Sequence, residues 1–94
     1  MANIFSSLRV YAGKWNLKSS RAFSPEEIAA VSSAVVVASQ YGNSVCFTMV
    51  GGGQTFIPLS NSSSKTVGES INLASAKILT LRKDGEADIF RVEA

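Results

Sequence analysis

Residues 44–60, SVCFTMV-GGG-QTFIPLS, read as two β-strands joined by a glycine turn. With Gly51, Gly52 and Gly53 as the loop, Val50 faces Gln54, Met49 faces Thr55, Phe47 faces Ile57 and Val45 faces Leu59. Strand side chains alternate, so the last three pairs share one face and bury it. A slip of one residue would set apolar side chains against polar ones, and the pattern therefore selects this register. The other face carries Ser44, Cys46, Thr48 and Val50 against Gln54, Phe56, Pro58 and Ser60. It is polar apart from one large ring, Phe56. Proline donates nothing to a ladder, so the strand holding Pro58 is expected at a sheet edge.

Upstream of this hairpin, Ser24-Pro25-Glu26-Glu27 is the clearest helix start in the chain. Ser24 suits the N-cap, Pro25 the first helical position, and Glu27 completes a capping box. Ser32 and Ser33 soon lead into a β-branched run, which limits this helix to about two turns. Ala34 to Gln40, AVVVASQ, then reads as a buried central strand. Tyr41-Gly42-Asn43 turns the chain into the hairpin.

Downstream, SNSSSKTVGES is a polar surface loop, pinned at its far end by Ile71 and Leu73. Leu73 to Ala76 suits a single helical turn. The tail, KILTLRK-DGEA-DIFRVE, forms a second hairpin. A two-residue Asp84-Gly85 turn would set Leu81 against Asp88. A four-residue loop, Asp84 to Ala87, pairs Leu81 with Phe90 and Leu79 with Val92 instead, and is preferred. It leaves Ile78, Thr80 and Arg82 beside Ile89, Arg91 and Glu93 on the solvent side.

About six strands with one short helix predict a mainly β, α+β domain: a small antiparallel β-barrel or sandwich. An oligonucleotide-binding-type barrel belongs to that set, although its helix follows the third strand and this one follows the first, which the period-two alternation of residues 3–23, broken near Gly13, predicts. The 94 residues suit one domain, 1–94, with residues 1–6 as an N-terminal arm. A hydrophobic content of 46% with 17% charge describes a globular chain. No apolar run approaches the roughly 20 residues of a membrane span, and no secretory signal opens the sequence. Cys46 is the single cysteine, so no internal disulfide forms and a reducing cytoplasm is the expected location.

Chemistry-bearing clusters are sparse. There is no histidine, the commonest general base and metal ligand. Cys46 sits inside a strand and reads as sheet filler. Asp84, Glu86 and Asp88 alternate along a turn without EF-hand spacing, and the glycine triplet lacks the Gly-Lys-Ser/Thr of a phosphate loop. These features predict a non-enzymatic protein with no cofactor, no metal and no small-molecule substrate. The net charge of +2 is uninformative, but residues 1–23 hold Arg9, Lys14, Lys18 and Arg21 and no acid. Single-stranded nucleic acid is held by cations along its backbone and aromatic rings under its bases. Arg9, Tyr11, Lys14, Trp15, Lys18 and Arg21 supply both, and Phe56, Arg82 and Arg91 join them from solvent-side strand faces. The structural alternative makes Tyr11 and Trp15 core aromatics.

At Gly51-Gly52-Gly53, Phe56-Ile57-Pro58-Leu59-Ser60, Gly68-Glu69-Ser70-Ile71-Asn72-Leu73, and Leu79-Thr80-Leu81 with Ile89-Phe90-Arg91-Val92, the chain resembles short proteins of gut Bacteroidetes tailed phages, the crAss-like group included. The resemblance covers about the last fifty residues and implies a small β-barrel that binds single-stranded DNA; it transfers no functional residue. The expected function is therefore single-stranded DNA or RNA binding with little sequence preference. The alternative is a self-assembling or partner-binding accessory protein, a homo-oligomer included. Its contact edge would be the Pro58 strand and the Asn61–Thr66 loop, with Val50, Phe56, Ile78 and Ile89 as exposed anchors.

Overall fold

Six strands and one helix follow one another as β1 (Lys18–Ala22), α1 (Pro25–Ala30), β2 (Val31–Ser39), β3 (Gly42–Met49), β4 (Gln54–Pro58), β5 (Lys77–Leu81) and β6 (Ile89–Glu93). They come from a computed structural model that describes residues 18–40, 42–81 and 89–94. The strands form two three-stranded antiparallel sheets, ordered β1-β5-β6 and β2-β3-β4. This is the mainly β architecture of a small sandwich or part-closed barrel. The sheets meet along one seam: Leu59 forms a parallel bridge with Val92, and the Ser60 amide donates to the Val92 carbonyl at 2.9 Å.

Helix α1 starts as its sequence dictates. Ser24 accepts from the Glu27 amide, and the Glu27 carboxylate accepts from the Ser24 amide, closing the capping box. The helix ends without a loop, because Val31 is already extended. A β-bulge between Val31 and Ser33 corrects the phase that results. It lets both Val31 and Ala34 face the core, while Ser32 Oγ turns aside to donate to the Thr48 carbonyl at 3.1 Å.

The core lies between the sheets. Cross-strand rows Val36–Val45–Ile57 and Ala34–Phe47–Thr55 line one side. Ile78, Thr80, Phe90 and Val92 line the other, and Phe23, Ile71 and Leu73 plug the ends. Full burial of side chains such as Phe47 and Ile57 contributes roughly 1.5–3 kcal/mol each. Ile71 and Leu73 thus pin the polar loop as expected. The Asn72 carbonyl accepts from the Ser75 and Ala76 amides, making the single turn foreseen there.

Three expectations about pairing need correction. In the first hairpin, Val45 pairs with Ile57, Phe47 with Thr55 and Thr48 with Gln54, a shift of two residues. The faces survive because the shift is even. Met49 pairs with Val31 at the start of β2, and the Val50 amide donates at 2.9 Å to the carbonyl of Ala30, the last residue of α1. Those two residues are thereby withdrawn from β4, and the loop widens to residues 49–53.

In the second hairpin, Leu81 pairs with Ile89, Thr80 with Phe90 and Ile78 with Val92, one residue from the expected register. An odd shift exchanges faces. Ile78 is buried, not an exposed anchor, and Arg91 shares a face with Leu79 rather than with Ile78. The central position of β5 explains the error, since Ile78, Leu79 and Thr80 are all buried and alternation no longer marks the inward side. The Asp84–Ala87 loop lies outside the described residues.

Strand β2, expected as a doubly buried central strand, instead alternates: Ala34 and Val36 face in, Val35 and Val37 are half-buried outside. Its second edge is covered by a polar segment, not a full strand. The Gly68 amide donates to the Val36 carbonyl at 2.9 Å, and the Val36 amide to the Glu69 carbonyl at 2.8 Å. Pro58, by contrast, sits on the edge strand β4, as its missing donor requires.

Candidate functional site

The outward face of β2-β3-β4 is a trough. Its floor is β3, where small Ser44 and Cys46 are 7% and 9% exposed. One wall is Val35 and Val37 on β2; the other is Phe56 and Pro58 on β4, with the Phe56 ring 53% exposed. Register sets the rows: Val35–Cys46–Phe56 lie side by side, as do Val37–Ser44–Pro58. Ser33, Thr48 and Gln54 close one end with polar groups, Gln54 Nε2 lying 3.5 Å from Thr48 Oγ1.

None of the residues of these three strands is charged. Residues 28–64 contain no Asp, Glu, Lys or Arg, and all three strands fall within them. That run was legible in the sequence. A neutral, part-apolar trough with one projecting ring accepts another uncharged surface at low desolvation cost.

Of the residues expected to grip nucleic acid, Arg9, Tyr11, Lys14, Trp15 and Arg82 lie outside the described residues. Lys18 opens β1, its backbone opposite Leu81. Phe56 is exposed as expected, but on the neutral sheet. Arg21 lies opposite Ile78 on the core side of β1 and grips Glu27 with both terminal nitrogens, at 2.6 and 2.8 Å. Arg91 lies by the seam, where Nη1 donates to the Leu59 carbonyl at 3.3 Å and to Asn61 Oδ1 at 3.4 Å.

The remaining described cations face acids. Lys65 Nζ is 3.8 Å from Glu69 Oε2, and Lys77 stands opposite Glu93 across β5 and β6. A hydroxyl-lined hollow of about 320 Å³ lies beside the seam, edged by Ser60, Ser62, Ser63, Ser75, Lys77 and Glu93. Its one cation and one acid cancel, so it offers an anion no net attraction. A phosphate reaching Arg21 would have to displace the Glu27 carboxylate. Phe56 stands on β4 of one sheet, whereas Lys77 and Arg91 belong to β5 and β6 of the other.

No protein-family profile, characterised protein or solved structure matches the chain. No helix among the described residues is long and apolar enough to cross a membrane.

Proposed function

We propose that this protein is a non-enzymatic association module that docks an uncharged, part-apolar protein surface on the outer face of β2-β3-β4. The observation that carries the reading is the exposed Phe56 ring on a three-strand face without a single charged residue. Interface centres are depleted in charge and enriched in aromatic anchors, and this trough has both properties. The lone Cys46 suits a reducing cytoplasm as the working compartment. Solvent mapping tests the reading: in dilute isopropanol, NMR shift changes should concentrate on Val35, Val37, Cys46 and Phe56. Changes spread evenly over the surface would remove it.

A second reading is kept for the amino-terminal segment, because residues 1–23 carry four cations and no acid. There, Arg9, Tyr11, Lys14, Trp15 and Lys18 hold single-stranded nucleic acid, with little sequence preference because stacking accepts any base. Binding to a fluorescent oligo-dT should weaken as salt rises. Trp15→Ala should lose about 1–3 kcal/mol of it. Absence of binding at low salt rules this reading out.

A further inference from the structure

We infer that a phosphate group, free or carried on a small ester, binds in a second hollow beside the seam, between the Ser60–Ser63 turn and the start of β3. The site lies apart from the docking trough and does not rest on it. Hydrogen-bond accounting and local charge select its ligand.

The hollow measures about 240 Å³, and Asn43, Ser60, Asn61, Ser63 and Lys65 are among the residues that line it. That is below the roughly 300–1,000 Å³ of pockets for drug-sized ligands, so it suits a small polar group. Backbone bonds fix its walls. The Leu59 amide donates to the Asn43 carbonyl and the Ser60 amide to the Val92 carbonyl, both at 2.9 Å. The Ser63 amide closes the turn onto the Ser60 carbonyl at 3.0 Å. The turn is thus tied to both sheets before any ligand arrives.

Within the turn, acceptor oxygens are already engaged by the protein. A guanidinium only donates, so Arg91 Nη1, at 3.4 Å, meets the Asn61 oxygen and leaves the Asn61 amino group to give. Ser63 Oγ accepts from the Lys65 amide at 3.2 Å and keeps its own hydrogen. The Lys65 ammonium can only donate. A ligand here must therefore be rich in acceptors. Charge narrows it further. Lys65 lines this hollow with no acid, whereas Lys77 and Glu93 cancel in its neighbour. Glu69 lies 3.8 Å from Lys65, but the two side chains are 38% and 45% exposed, a pair that water screens. With Arg91 behind Asn61, two cations stand against that one acid. A neutral hydroxyl ligand would meet the donors and leave the charge unanswered. Phosphate answers both, through charge-assisted hydrogen bonds.

An amide NMR titration with sodium phosphate, set against sodium chloride at matched ionic strength, tests this. Phosphate should give saturable shifts confined to residues 42–43 and 59–65, with half-saturation in the millimolar range. Glycerol phosphate in a parallel arm separates the sources. Tighter binding assigns an ester; equal or weaker binding assigns free phosphate. Lys65→Gln should weaken binding at least about fivefold. Asn61→Asp keeps the oxygen that Arg91 meets and puts a carboxylate where the amino group stood. It should therefore abolish saturation while the rest of the spectrum stays folded. Lys77→Gln, in the neighbouring hollow, should leave binding unchanged. Saturation that survives both Lys65→Gln and Asn61→Asp overturns the site. A response no different from that to chloride, or one spread over the other cations, overturns it too.

Discussion

Arg21 and Glu27 are joined by a two-pronged ion pair that ties β1 to α1, and the same carboxylate closes the helix cap. Glu27 Oε1 lies 2.6 Å from Arg21 Nη1 and 2.8 Å from the Ser24 amide. The side chains are only 12% and 5% exposed, so the pair sits largely out of water. Removing one member of such a pair takes a close counter-charge from a group held largely out of water.

Glu27→Ala is accordingly expected to destabilise the protein by about 3–5 kcal/mol, through loss of both ion pair and cap. Ser24→Ala removes only a cap acceptor and should cost about 1 kcal/mol. Urea unfolding of the two variants measures the difference. Equal losses would show that the ion pair contributes nothing beyond the cap.

Thr80 is fully buried between Ser19 and Phe90 in the cross-strand row, and its hydroxyl has no hydrogen-bond partner among the described residues. A buried hydroxyl without a partner carries a desolvation cost and no return. Thr80→Val keeps the shape and should be stabilising by about 1 kcal/mol. A thermal melt lowered by several degrees would argue against it.

Phe47 is fully buried, with its ring centroid 5.8 Å from that of Phe23 at a tilt of 45°. Phe47→Ala should cost about 3–5 kcal/mol in a chemical-denaturation series. Phe56→Ala, one strand over and half-exposed, should stay within about 1 kcal/mol. The contrast separates the two aromatic roles, one in the core and one on the docking face. Similar losses would contradict that division.

The widened hairpin loop makes its own prediction. Gly52 takes φ +97°, its amide donates to the Met49 carbonyl at 2.9 Å, and the Met49 amide donates to Gly53 at 2.7 Å. An L side chain is strained at that φ, so Gly52→Ala should cost about 1 kcal/mol or more. Gly53 has ordinary φ and open space around it, and Gly53→Ala should be nearly neutral. Equal effects at both positions would favour the tighter three-glycine turn.

Local chemistry was readable wherever one residue's needs decide the outcome. The Ser24 cap, Pro25 at the helix start and the Pro58 edge all follow from donors and acceptors within a few residues. The inward faces of the first hairpin were readable too, because alternation persists when one side is wet. The trough could be drawn from the sequence as a face, with Phe56 on it. Its lack of charge is legible as well, since no Asp, Glu, Lys or Arg occurs from residue 28 to 64.

The sequence by itself determined a mainly β chain, one capped helix, and which residues of β3 and β4 turn inward. Tertiary structure decided the registers, the burial of Ile78 and the partners of Arg21 and Arg91. Alternation measures only the difference between a strand's two sides, and that difference vanishes at β5, whose Ile78, Leu79 and Thr80 are buried together. Met49 pairs with Val31 of β2, and Val50 donates to Ala30 at the end of α1, so neither pairs with β4. An ion pair between β1 and α1 likewise depends on how a strand and a helix pack, a distance that no spacing of charges along the chain encodes.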